Sequence, residues 1–444
     1  MKSITFIVVF VWAAFTCLAQ KKTSATTAVV ISAATVERVE KTLAADAMQG
    51  RAGQVGGLLA AKFLAAEFNR IGLQKFPGLT SYEQIFTAYE TRTTALYVML
   101  NNVPIAKEKT LLVSGQPHLN WAEDDDPAAR VIVLGAEANF SKVIRPLLEP
   151  SENIVVFVDP AHEEAFKKLS RRLQSGQLRP EKPGPFSTVL ALVAVNNNPI
   201  HYRVAANTTV HAVEMRNVVG VLPGQDQNRA NEQVVFSAHY DHLGILPAVA
   251  GDSIANGADD DASGTSAVVA LAEYFKKQKN NARTLVFVAF AAEEIGGFGS
   301  QYFSRQISAQ QVVAMFNIEM IGKPAKFGPN TAFITGYDKS DFGKILQRNL
   351  AGSAFRFEPD PYPEQQLFYR SDNATLARLG VPAHTISTDQ IPTDNLYHSV
   401  DDEVESLNLK NMTAVITAIA QSAASIISGK DTPTRIVNAG TDAR

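Results

Sequence analysis

Beyond about residue 212 the chain alternates short apolar runs with amphipathic stretches. The segments "NVVGVLPG", "QVVFSAH" and "TLVFVAFAA" are almost wholly apolar, and between the last two Ala267, Ala270, Leu271, Tyr274 and Phe275 recur at helical spacing. Continuous apolar strands separated by helices predict a sheet covered on both faces, hence an α/β fold with mainly parallel strands. Upstream, "VERVEKTLAADAMQGRAGQVGGLLAAKFLAAEFNRIGL" predicts two helices around a glycine-rich turn, with Leu59, Phe63, Leu64 and Phe68 at helical spacing. From Thr110 to His211 the character shifts to short strands, "VIVLGAE", "NIVVFVDP" and "STVLALVAV", separated by the acidic "EDDDP" and by "RPEKPGPF". The expected organisation is a main domain formed by residues 28–109 and 212–430, an inserted accessory domain at 110–211, and a tail at 431–444.

The first residues follow another pattern. In "MKSITFIVVFVWAAFTCLAQKK" a basic Lys2 precedes an apolar run from Ile4 to Phe15 and small residues up to Ala19. This is the layout of a secretory signal at residues 1–19, and the run is too short to span a bilayer comfortably. The mature protein is therefore expected to be exported, to a periplasm or out of the cell, with no stable membrane insertion after cleavage. A membrane anchor is one rival reading and a lipid on Cys17 another, although "AFTC" is a poor lipidation box.

Composition adds bounds. At 444 residues the chain exceeds one ordinary domain, and 46% hydrophobic and 19% charged residues with a net charge of -3 leave no basic surplus for a nucleic-acid partner. Its one cysteine, Cys17, lies inside the expected signal. Any metal in the mature chain must then use His and carboxylate ligands, and cysteine hydrolases and structural Cys-zinc sites are excluded.

Polar residues interrupt the apolar runs at their carboxyl ends, where ligands of such sheets gather. "VVFSAHYDH" ends in His239 and Asp241, "FVAFAAEE" in Glu293 and Glu294, and "AMFNIEM" carries Glu319. Between the first two, "NGADDDASGTSA" sets Asp259, Asp260 and Asp261 before the amphipathic helix. Singly, each has an ordinary explanation: acids before a helix cap it, and a His at a strand end is a satisfied polar group. Crowded on one edge, carboxylates repel each other and are driven toward protonation, and a divalent cation reverses that balance. Imidazole and carboxylate donors without thiolate suit zinc.

In "HYDHLGI", "GDSIANGADDDASG", "AAEEIGGFGS" and "NIEMIG", and further on in "FYRSDNATLARLGVPA" and "NLYHSVDDE", the chain resembles the co-catalytic di-zinc exopeptidases of metallopeptidase family twenty-eight. That family includes bacterial leucyl aminopeptidases, glutamate carboxypeptidases and the non-catalytic transferrin receptor. The resemblance implies a mixed, mainly parallel central sheet flanked by helices, with an inserted smaller α/β accessory domain. It implies two Zn2+ ions bridged by Asp260, with His239 and Glu319 completing one site and Glu294 and His398 the other. It makes Glu293 the general base, gives Asp241 the task of hydrogen-bonding the His239 imidazole, and implies a cis peptide between Asp260 and Asp261. Tyr369, in "FYRSD", is the candidate donor to the oxyanion, with a packed aromatic as its other reading.

Two positions depart from the family pattern. Glu319 stands where Asp is frequent, which implies a shifted metal position or preference, and Asn373 stands where a His usually follows "RSD", so altered substrate contacts without loss of catalysis are expected at Asn373. His242 matches no ligand position and is placed behind the ligands; His118, His162, His201, His211 and His384 are read as structural or surface residues. The expected function is a secreted aminopeptidase acting on peptides with a free N-terminus. A carboxypeptidase, a dipeptidase, a single-zinc glutaminyl cyclase and a binding protein without catalysis are the alternatives. The full set of five ligands argues against the cyclase and, with the base, against the binding protein.

Overall fold

The structure is a computed structural model that describes residues 29–174, 177–195 and 199–437. The expected signal at 1–19 and the end of the tail lie outside the described residues. Among the described residues no helix is long and apolar enough to cross a membrane.

Four strands at the centre run parallel, in the spatial order Ala383–Ser387, Val312–Ile318, Gln233–His239, Thr284–Phe290. Successive residues of these strands face opposite sides of the sheet. Val234, Phe236, Leu285 and Phe287 join a core with the helices Ala33–Leu43, Gly56–Ile71, Gly264–Gln278 and Leu409–Ser422. Val235, Val286, Val288 and Phe290 join a second core, on the other face, with Phe303 and Leu376 of the helices Phe298–Gln306 and Asn373–Ala377. Both faces are therefore covered, which is why these strands read as unbroken apolar runs. Toward the flanks the pairing turns antiparallel, Thr331–Ile334 against Ala383–Ser387 and Tyr202–Leu222 against Thr284–Phe290. The sheet is mixed, parallel where it is most deeply buried, and flanked by helices, as expected.

A separate four-stranded sheet, Thr110–Ser114, Ser187–Leu192, Ile154–Val158 and Arg130–Leu134, carries the helices Phe140–Leu147 and Glu163–Gln174. Leu111, Ile144, Val156, Phe166 and Leu190 build its own core. Two long strands connect it to the main sheet: Glu83–Leu100 leads out and Tyr202–Leu222 returns, paired antiparallel from Leu100 opposite Tyr202 to Glu83 opposite Val218. The boundary drawn at His211 falls inside this unbroken returning strand, opposite Glu90. The described part of the tail is fastened to the body: Arg283 donates to the Asp431 carbonyl at 2.6 Å and Arg435 to the Val312 carbonyl at 2.8 Å.

Candidate metal centre and its cleft

The parallel strands end on one edge of the sheet, and there the chain brings together His239, Glu293, Glu294 and Glu319 with the loop that feeds the Gly264–Gln278 helix. The loop is fixed from several sides. Gly257 has φ +58, and a Cβ on it would lie 2.5 Å from the His242 ring, so glycine alone fits. Arg51, fully buried, donates to the carbonyls of Tyr240 at 2.6 Å, Gly257 at 2.7 Å and Asp260 at 3.1 Å. The Asp402 carboxylate accepts the N–H groups of Asp259 and Asp260, each at 3.1 Å. The Asp260-Asp261 peptide is cis.

Asp260 then faces two ways. Its Oδ1 lies 3.2 Å from His239 Nε2, which is also 3.0 Å from Glu319 Oε1. Its Oδ2 lies 3.3 Å from His398 Nε2, which is 3.1 Å from Glu294 Oε2. Asp261 also stands within a metal's reach of His239 and Glu319. Its carboxylate, however, already accepts the N–H groups of Gly264 and Met320 at 3.0 Å and of His239 at 3.3 Å, which leaves Asp260 as the acid free to be shared. The five donors form two sets of three with Asp260 common to both, free of thiolate, and such a set fits zinc.

The electrostatics agree with that fit. Burial alone would lower the pKa of His239, yet Glu319 and Asp260 hold it well above the usual imidazole range. Burial also opposes charge on His398, and Asp260 and Glu294 still push it up to about 10. Asp260 is held well below the usual carboxylate range by the His239 and His398 bonds, which outweigh its burial. Burial, joined by Glu319, Asp372 and Glu294, keeps Glu293 well above that range. The cluster thus attracts positive charge strongly enough to charge its own histidines.

Several supports were absent from the sequence reading. Ser371 Oγ donates to Glu319 Oε2 at 2.5 Å and itself receives Asn317 Nδ2 at 2.7 Å, which fixes the Glu319 side chain. His242 Nδ1 lies 2.7 Å from Glu294 Oε1, on the oxygen turned away from His398, and His242, Asp260 and Glu294 also stand together within a metal's reach. Ala292, Met320 and His398 all adopt left-handed backbone, at φ +62, +48 and +58, and such non-glycine positions concentrate at functional sites. Tyr397 stacks on the His398 ring at 3.9 Å and lines a cleft shared with Asp260, Glu293 and Glu319. Tyr369 is not among the residues lining that cleft; its ring packs on Phe368 and under the Arg378 guanidinium. Asn373 is 0% exposed and donates to the carbonyls of Phe368 at 2.9 Å and Ala383 at 3.2 Å, so it ties two segments together and does not reach a substrate as expected.

With this geometry in hand, likenesses to known proteins can be weighed. Residues 217–423 match the model of "Peptidase family M28". Among curated proteins, "Leucine aminopeptidase 1" of Metarhizium robertsii is 28% identical over 224 residues, 47% of this chain and 54% of the relative. The chain thus spans about half the length of such relatives. Among solved structures, an aminopeptidase from Aneurinibacillus sp. strain AM-1 superposes with a TM-score of 0.54 at 17% identity, covering 92% of this chain and 96% of its own. BSAP, described as a zinc aminopeptidase from Bacillus subtilis, gives 0.53 at 14% identity, covering 93% and 99%. At these identities the two structures speak for the shared fold.

Proposed function

We propose that this chain, whose residues 217–423 belong to peptidase family M28, is an exported metallo-exopeptidase that removes N-terminal residues from peptides. The observation that carries the reading is the stance of Asp260, with one oxygen toward His239 and the other toward His398. His239, Asp260 and Glu319 would hold one zinc ion, and Asp260, Glu294 and His398 a second. Bound there, such ions lower the pKa of water and polarise a peptide carbonyl.

The remaining work belongs to side chains of this protein. Glu293 takes the proton of the attacking water and passes it to the leaving amine; a carboxyl whose pKa is raised by burial is suited to hold that proton between the two transfers. Tyr397, in place of Tyr369, donates to the developing oxyanion, since it lines the cleft with the acids. Burial and the neighbouring Asp260 keep its phenol protonated and able to donate. Asp241 and Arg51 position the parts without touching substrate. The apolar stretch from Ile4 to Phe15 supports export.

The test is to digest two peptides with zinc-loaded protein, one acetylated at its N-terminus and one amidated at its C-terminus, and read the products by mass spectrometry. Shortening of the amidated peptide alone, from its N-terminus, is expected. Trimming from the carboxyl end, or of neither peptide, would overturn the reading.

A further inference from the structure

The cleft lined by Asp260, Glu293 and Glu319 is also lined by Asp389, which follows the central Ala383–Ser387 strand. Phe333, Leu367 and Ile391 contribute apolar wall to the same cleft. Asp389 is 5% exposed, and its Oδ1 accepts no hydrogen bond among the described residues. The Asp389 carboxyl shares a side-chain hydrogen bond with the Asp394 carboxylate and feels the Lys323 charge, but its Oδ1 is left without a donor, which is costly for a buried oxygen. Lys323 Nζ is the nearby cation, and it is held by Asp394 at 2.6 Å, Asp259 at 3.3 Å and Asp402 at 4.0 Å. Asp389 stands close to the carboxylates of Asp259 and Asp394 and forms no ion pair among the described residues. Burial, then Asp259 and Asp394, push its pKa up to about 8.

Below about pH 8 the carboxyl is mostly protonated, and a cation arriving at Oδ1 would draw it into its charged form; two occupants could do so. A metal ion among Asp259, Asp389 and Asp394 would have to sit beside the Lys323 ammonium, which already occupies two of these acids and repels it. A cation entering from the cleft meets no such obstacle, because Asp389 is the member of the group that lines it. The apolar wall suits methylenes and the acid suits a charged tip, which is how lysine and arginine side chains divide. Arg370 also lines the cleft, but it is exposed, whereas Asp389 is buried.

We propose that this cleft selects substrates whose N-terminal residue is lysine or arginine, with Asp389 receiving the charged end of that side chain. The proposal rests on the exopeptidase reading for the word substrate, but its test does not. Binding of free L-lysine and of L-norleucine, which keeps the methylenes and lacks the charge, is measured by calorimetry on the zinc-loaded protein. Lysine is expected to bind at least about tenfold more tightly, the scale of a hydrogen bond to a charged group. In Asp389→Asn that ratio is expected to fall toward one. Equal binding of the two ligands by the unaltered protein would overturn the proposal. So would an equal loss for both in the variant, which would place Asp389 at the α-ammonium they share. Lysine preference without any peptide turnover would retire the exopeptidase reading and leave the cation pocket standing.

Discussion

The carboxylate of Asp241 accepts the backbone N–H of Glu293 on one oxygen at 3.1 Å and that of Glu294 on the other at 3.3 Å. Its expected bond to the His239 imidazole is made by its main chain instead: His239 Nδ1 is 3.1 Å from the Asp241 carbonyl oxygen and 3.9 Å from the carboxylate. One residue therefore orients a histidine through its backbone and a pair of glutamates through its side chain. Asp241→Asn keeps one acceptor and turns an amide NH2 toward the other N–H. Its kcat is expected to fall about 10- to 100-fold, the usual cost of losing a group that orients a ligand, with KM moved less. Steady-state kinetics on an aminoacyl-nitroanilide decides it, and an unchanged kcat would mean that the glutamate backbone holds its place unaided.

Glu293 and Glu294 are adjacent but differently engaged. Both line the cleft, but the Glu294 oxygens meet histidines, at 2.7 and 3.1 Å, whereas Glu293 forms no ion pair among the described residues. Glu293→Gln should therefore bind zinc as the unaltered protein does while losing about 10²- to 10⁴-fold in kcat, the range of a missing general base. Metal analysis of the dialysed variant beside its turnover rate checks both halves. Full activity would remove Glu293 from proton transfer.

The two tyrosines separate cleanly by substitution. Tyr397→Phe removes a phenol from the cleft and should lower kcat by about 10²-fold or more, as loss of an oxyanion donor does. Tyr369→Phe keeps the ring on Phe368 and under the Arg378 guanidinium and should lower kcat far less than Tyr397→Phe does. The reverse ranking would return the oxyanion role to Tyr369.

What could be read in the sequence follows from burial. The strands ending at His239, Phe290 and Ile318 are covered on both faces, so their apolar runs announced both the sheet and its functional edge. The Glu83–Leu100 strand was invisible by the same logic: its outer part, "ETRTTA", is largely exposed and polar, and its partner lies beyond the whole accessory unit. Arg51 was hidden because it sits in a glycine-rich turn and its role depends on carbonyls up to 209 residues away. Tyr397 was within reach, since it adjoins His398, but only the fold distinguishes it from Tyr369. His242 lacked a ligand position and found its place only through Glu294.

The sharing of Asp260 has a consequence for metal stoichiometry. Glu319→Gln weakens one donor set and should leave the set of Asp260, Glu294 and His398 able to hold its ion, whereas Asp260→Asn weakens both. Zinc titration followed by calorimetry should show loss of one binding event in the first variant and weakening of both in the second. Zinc at about 100 times its Kd should also stabilise the unaltered fold by about 2.7 kcal/mol for each ion bound, read as a rise in melting temperature that Asp260→Asn diminishes. Equal effects of the two substitutions would contradict a bridging role.

His384 offers a pH test away from the metal centre. It is fully buried, stacked on Phe342 at 4.9 Å, with Nδ1 2.9 Å from the Thr335 carbonyl oxygen and Nε2 2.7 Å from Ser340 Oγ. Nδ1–H donates to the carbonyl, so Nε2 accepts the Ser340 hydroxyl proton and the ring is neutral. Burial pulls its pKa down to about 4, with the Thr335 bond opposing and Lys339 adding to the shift. In the unfolded chain the same group titrates near about 6.5. Between these values the unfolded chain binds a proton that the folded one does not, so the contribution is complete above about 6.5 and is lost as pH falls through the folded pKa. The shift corresponds to about 3 kcal/mol, so between pH 7.5 and 4.5 the unaltered protein should lose about 2 to 3 kcal/mol more stability than His384→Asn, measured by urea unfolding at both pH values. Carboxylates that titrate in the same interval are common to both proteins and cancel in the difference. An identical pH slope in the two would mean that His384 charges as easily inside the fold as outside it.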